Sequence, residues 1–328
     1  MSTATESKAA SSKPAAPRKH QMRLMRNMPI GKKMTVVVGA MVIPLLTLMF
    51  IYAGIQWSDI KFVRDEIEGL AYYHPLEEIG GVVNMRSATI GASLAAGQAV
   101  STADTDAEIE KLIAEMDELD QKYGREMSRS KWKAIHESWN KLKLETFKDL
   151  ESSLAAHEAL NAQLADLRMH IATDWGMALD PVAESYYILD VAVNKVPELA
   201  NGVGTTRGLL GAAVHGAAQS AEIRLEMIRH ASIIDDRIEA TQSALDVIKE
   251  KTALDPEASA IIAKVEPGWD ALIHEWTEAV SKVASEGTVN GAAYQELMTQ
   301  GDSIPGLLDT VHDEMMEAAE VIVGSREK

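Results

Sequence analysis

From Met34 to Gly54 the chain reads MTVVVGAMVIPLLTLMFIYAG, 21 residues without a charge. At about 1.5 Å per residue, a helix of that length matches a hydrocarbon core of roughly 30 Å, so the run is predicted to span a membrane. Pro44 removes one backbone donor near its middle, a fault that membrane helices tolerate, and predicts a mild kink. A cleaved signal peptide is the rival reading; both the 33-residue approach and the apolar run are long for one. A buried helix of a soluble protein is the other rival, but core helices seldom stay free of charge for so long.

Beyond the span, apolar residues recur at helical spacing. The pattern breaks at Gly97–Thr105, Asp180–Pro181, Asp255–Pro256, Glu286–Gly291 and Ser303–Pro305. In LDPEAS, Asp255 and Pro256 are placed to stop one helix and start the next. No window alternates with a period of two, so the chain is predicted to be all-α. Composition agrees: only 3 Phe and 7 Tyr stand among many Ala, Leu, Glu, Met and Lys, residues that lose little rotamer freedom in a helix.

A repeat of long period overlies this pattern. Trp132 and Trp139 enclose six residues in WKAIHESW, and Trp269 and Trp276 do so again in WDALIHEW. Upstream of each pair lies an Arg among small residues, Arg86 in NMRSATIGASLAAG and Arg207 in TTRGLLGAAVHGAA, preceded by Pro75 and Pro197 respectively. The order Pro, Arg, Trp, Trp kept twice predicts two stacked antiparallel helical-bundle modules. The expected organisation is a basic tail over 1–33, a transmembrane helix over 34–54, bundle modules over 55–180 and 181–323, and a short tail over 324–328.

Charge gives the span a direction. The net charge of −17 divides into +7 over residues 1–33, which hold eight Lys or Arg and one acid, and −24 over the rest. With Arg18, Lys19, Arg23, Arg26, Lys32 and Lys33 before the span, the positive-inside rule places the N-terminus in the cytoplasm and the main domain outside it. A domain that acidic repels a nucleic-acid backbone, so no nucleic-acid partner is expected. Residues 1–17, rich in Ser, Ala, Lys and Pro, are predicted to be disordered. The absence of Cys excludes disulfides and thiolate chemistry.

Arg86 and Arg207 are the candidate ligand-binding residues. A guanidinium on a small-residue face offers planar donors to a carboxylate, nitrate or another anion. Equally, each could pair with one of the domain's own 48 acids. The small residues beside them (Ser87, Ala88, Gly91 and Ala92; Gly208, Gly211, Ala212 and Ala213) would allow close helix packing or leave room for a small ligand. Trp132, Trp139, Trp269 and Trp276, paired at a spacing of seven, are expected in the core. The His-Glu neighbours at 136, 157 and 274 lack a second His at helical spacing, so no metal site is expected. NGVGTTRG breaks the spacing of a phosphate loop, and no GxSxG elbow occurs. No catalytic residue or cofactor is predicted.

Three segments carry a likeness to a known family: MPIGKKMTVVVGAMVIPLL, EGLAYYHPLEEIGGVVNMRSATIGASLAAG and ALDPVAESYYILDVAVNKVPELANGVGTTRG, which lie between residue 28 and about residue 216. They resemble the exported sensor region of bacterial methyl-accepting chemotaxis receptors and related sensor kinases. The resemblance implies an antiparallel helical bundle, usually dimeric, that binds a small molecule and passes a helix shift through the membrane. The similar nitrate- and nitrite-sensing domains hold their anion with Arg, which implies that role for Arg86 and Arg207, although Ser87 stands where the family usually has Gly. No second span or signalling coiled coil follows. The alternative expectation is therefore an accessory subunit whose bundle docks on a membrane-protein partner.

Overall fold

The computed structural model describes residues 28–180, 182–214, 220–265, 267–286 and 291–326, without the side chains of Ala95 and Leu179. Nearly all of these residues are helical, with no strand among them. The helices are α1 Ile30–Ala96, α2 Ala103–Tyr123, α3 Glu126–Leu142, α4 Leu150–Asp174, α5 Ala183–Asp190, α6 Val196–Val214, α7 Ala221–Lys251, α8 Pro256–Ile262, α9 Trp269–Glu286, α10 Gly291–Gln300 and α11 Ile304–Ser325. The expectation of disorder over residues 1–17 lies outside the described residues.

The chain divides at Ser58–Asp59 into two compact units, and α1 contributes to both. In the first unit α1 continues through Pro44. It is long and apolar enough to cross a membrane, and no part of its apolar window is buried. Met41, Ile43, Leu45, Leu48 and Phe50 stand exposed, a surface suited to lipid rather than water. The hydroxyls of Thr35 and Thr47 donate to the carbonyls of Gly31 and Ile43 at 3.0 and 2.9 Å, so neither is left for the lipid to satisfy.

In the second unit, local chemistry sets the helix ends. Ile109, Leu112, Ile113 and Met116 bury one face of α2, whose first turn carries Asp104 and Asp106. Asp255 caps α8, accepting from the amides of Glu257 and Ala258 at 3.0 and 3.1 Å, with Pro256 at the first helical position. Between α4 and α5 the chain turns at Gly176, whose φ of +87° favours glycine; a Cβ there would also lie 2.7 Å from the Phe62 ring.

All four repeat tryptophans are buried. Trp132 and Trp139 donate their indole N–H to Asp117 and Glu110 at 2.7 and 2.9 Å, and Trp276 donates to the carbonyl of Leu297 at 2.8 Å. Between α5 and α6 a π turn covers Val191–Lys195. Pro197 has no N–H to offer the Val193 carbonyl four residues back, and the buried Tyr73 hydroxyl donates to that carbonyl at 2.7 Å.

The chain from Asp59 onward, across the expected boundary between 55–180 and 181–323, forms one compact unit. The reason is α1, which bonds to both halves. Tyr72 donates to Asp120 in one half, while Tyr73 donates to Val193 in the other. Asn84 joins the two, accepting from Asn161 at 2.7 Å and donating to Asn201 at 3.3 Å. One core of apolar residues therefore runs across the proposed boundary.

Candidate functional site

The small-residue stripes of the two repeats face each other. A Cβ on Gly91 would meet the carbonyl of Gly208 at 3.8 Å, one on Gly208 would lie 3.9 Å from the Ala88 backbone, and one on Gly211 would lie 3.6 Å from the Ala92 side chain. The stripes thus serve close approach of α1 to α6. The two arginines beside them sit in different surroundings.

Arg86 is buried, with 2% of its surface exposed. Its Nε donates to Asp106 at 2.7 Å, its Nη1 lies 2.9 Å from His157 Nε2, and its guanidinium sits 5.4 Å from the centre of the Trp139 ring. Asp106 also accepts from Thr102 at 2.8 Å, and His157 Nδ1 lies 2.7 Å from the Ser153 carbonyl. Burial, and then the charge of Arg86, press the His157 pKa down to about 4. The ring is thus neutral at pH 7, with Nδ1–H donating to Ser153 and Nε2 accepting from Arg86. This is an internal network, and Arg86 is not among the residues lining the cavity described next.

A cavity of about 690 Å³ opens within the second unit. Its walls come from α1 between His74 and Ser93, from α6 between Ala200 and Arg207, and from α11 between Pro305 and Asp313, with Glu108, Leu112 and Met298 added from α2 and α10. Val82, Ala88, Leu112, Val203 and Leu308 make part of it apolar. Gly204 belongs to the wall, and a Cβ there would collide with the Asn84 side chain at 2.8 Å, so glycine lets α6 approach α1 at this level.

Five carboxylates line the cavity, from Glu77, Glu78, Glu108, Asp309 and Asp313, against one Arg and two His. Arg207 is that Arg. It is 21% exposed, donates Nη2 to the exposed Asp302 at 2.6 Å, and has a buried Nε without a partner. Asp309 reaches solvent, yet partial burial and the charges of Glu77 and Asp313 push its pKa up to about 6. For His312, burial works against the charged ring, but Asp313, Glu77 and Asp309 outweigh it and raise its pKa. His312 in turn holds Asp313 below the usual carboxylate range. The shifts of Asp309 and His312 mark crowded negative charge, which with the five carboxylates favours a cation in the cavity over an anion.

The His74 and His312 rings stack, with centres 5.8 Å apart and planes 8° from parallel. A nitrogen of each and a carboxylate oxygen of Asp313 lie within 4.8 Å of one another. His74 pairs with Glu78 at 3.2 Å, while His312 Nδ1 lies 3.8 Å from Glu77 and 3.6 Å from Asp313. A search for His pairs one helical turn apart could not find this group, because His74 and His312 lie on α1 and α11. Compared with protein-family models, with curated proteins and with solved structures, the chain has no match.

Proposed function

We propose that this protein is a membrane-anchored sensor domain, exported from the cytoplasm, whose cavity receives a small cationic ligand. The observation that carries the reading is a 690 Å³ cavity with apolar patches and five carboxylates against a single Arg. The cavity has the size and mixed lining of a small-molecule site, and its charge selects the sign of the ligand. This replaces the anion suggested by the two arginines, since Arg86 is engaged elsewhere and Arg207 is outnumbered. Ligand entry would draw together walls supplied by α1, α6 and α11, and α1 is also the helix that holds the apolar run. A ligand-dependent shift of α1 is the natural signal for such an arrangement.

The test is calorimetry on the detergent-extracted full chain with small mono- and diamines, divalent cations, nitrate, nitrite and short carboxylates. Saturable binding of a cation, weakened at least tenfold by Glu77→Gln, supports the reading. Binding confined to an anion and abolished by Arg207→Ala would overturn it. Topology is tested separately. The chain has no Cys, so a Leu254→Cys variant, at a position 97% exposed, presents one thiol to a membrane-impermeant maleimide. Labelling of spheroplasts before lysis is expected; labelling only after lysis would place the domain in the cytoplasm.

A further inference from the structure

Within the cavity, His312 differs from the other polar groups. Its side chain is at least nine-tenths buried, it lines the cavity, and its Nε2 has no hydrogen-bond partner. A buried imidazole nitrogen without a partner loses the hydrogen bond water would have given it. A protein donor, a water or a metal ion could restore that interaction, and the neighbours decide which. His74 stacks on the same ring and also has an unpartnered nitrogen, Nδ1. Asp313 contributes the third donor atom, and Glu77 and Glu78 stand beside the imidazoles.

We infer that His74, His312 and Asp313 form a binding site for a divalent transition-metal ion that bridges α1 and α11. Two imidazoles and a carboxylate suit zinc, cobalt, nickel or copper, whereas magnesium and calcium prefer all-oxygen shells. Ligands around a tetrahedral zinc stand about 3.3 Å apart, given bonds of about 2.0 Å. The present 4.8 Å must therefore close by roughly 1.5 Å. His74 and Asp313, with side chains 41% and 66% exposed, have the freedom to move while the buried His312 stays fixed. Glu77, 3.8 Å from His312 Nδ1, is placed to orient the ring from outside the coordination shell. The inference rests on the cationic reading of the cavity and names one chemical class of cation for it.

The test uses the full chain in detergent, purified through a tag without histidine and titrated with cobalt(II) in excess magnesium. The expected result is one equivalent bound, with visible d–d absorption, and copper(II) giving nitrogen hyperfine structure by electron paramagnetic resonance. His74→Ala and Asp313→Asn, both at partly exposed positions, should weaken cobalt binding by about tenfold or more while helical circular dichroism stays unchanged. Absence of cobalt binding, or binding indifferent to both variants, overturns the metal site. If diamines still bind under those conditions, the cationic cavity stands without its metal; if neither binds, both fall.

Discussion

Arg86 and Arg207 occupy matching places in the repeat, each on a stripe of small residues behind a proline, yet they end in opposite circumstances. Arg86 is sealed between Asp106, His157 and Trp139, whereas Arg207 reaches from the cavity wall to one exposed carboxylate. The same local sequence can therefore hold a structural cation or leave one beside a pocket. What separates them is the cover: α2, α3 and α4 close over Arg86, and among the described residues no comparable network closes over Arg207.

The largest expected effect tests that contrast directly. Arg86→Ala leaves His157 Nε2 without its donor and Asp106 with Thr102 alone, and removal of one partner of a buried pair should lower unfolding free energy by about 4 kcal/mol in chemical denaturation. A loss below 1 kcal/mol would place Arg86 in the same class as a surface arginine.

A third arginine sharpens the comparison. Arg326 has two carboxylates, Glu66 at 3.6 Å and Asp180 at 3.0 Å, and also donates to Ser185. Glu66 has no solvent exposure. Desolvation and then Asp180 outweigh Arg326 and push the Glu66 pKa up to about 8. The folded state then holds a proton that the unfolded chain releases near pH 4.5, so stability should fall as pH rises from 4.5 to 8. Glu66→Gln should remove that slope and stabilise the protein at pH 8 by about 4 kcal/mol, read as denaturation midpoints against pH.

His157 gives the opposite slope and a smaller effect. Its folded pKa of about 4 lies below the ordinary 6.5, so its contribution is complete above pH 6.5 and is lost as pH falls through 4. The loss should be about 3 kcal/mol, and the slope should vanish in His157→Asn. The smallest effect belongs to Arg207→Ala. Its pair with the exposed Asp302 should contribute no more than about 1 kcal/mol, so thermal unfolding should barely move.

The all-α class, the apolar run and the break at Asp255–Pro256 were legible in the sequence because each rests on neighbours along one helix. The seven-residue spacing of the tryptophans likewise marked one helix face. The cavity was not legible, since periodicity reveals which face is apolar and not which distant helix covers it. His74 and His312 carry no mutual spacing that a scan could register. The repeat suggested two modules for the same reason: it reports likeness between segments, while the bonds from Asn84 to Asn161 and Asn201 that join them are tertiary. The π turn at Val191–Lys195 needed Tyr73 as well as Pro197 to be recognised.

The cavity's walls lie near opposite ends of the second unit's sequence, in α1 and α11. Such a site has a high contact order, and closing the long intervening loop must precede its formation. Until α11 docks, Asp309 and Asp313 do not face Glu77, so their mutual repulsion arises only in the closing step. A cation that relieves it acts after the folding barrier, and is expected to slow unfolding while leaving the refolding rate almost unchanged. The pocket is then also the clasp of the helical bundle, with an occupied site measured in the lifetime of the folded state.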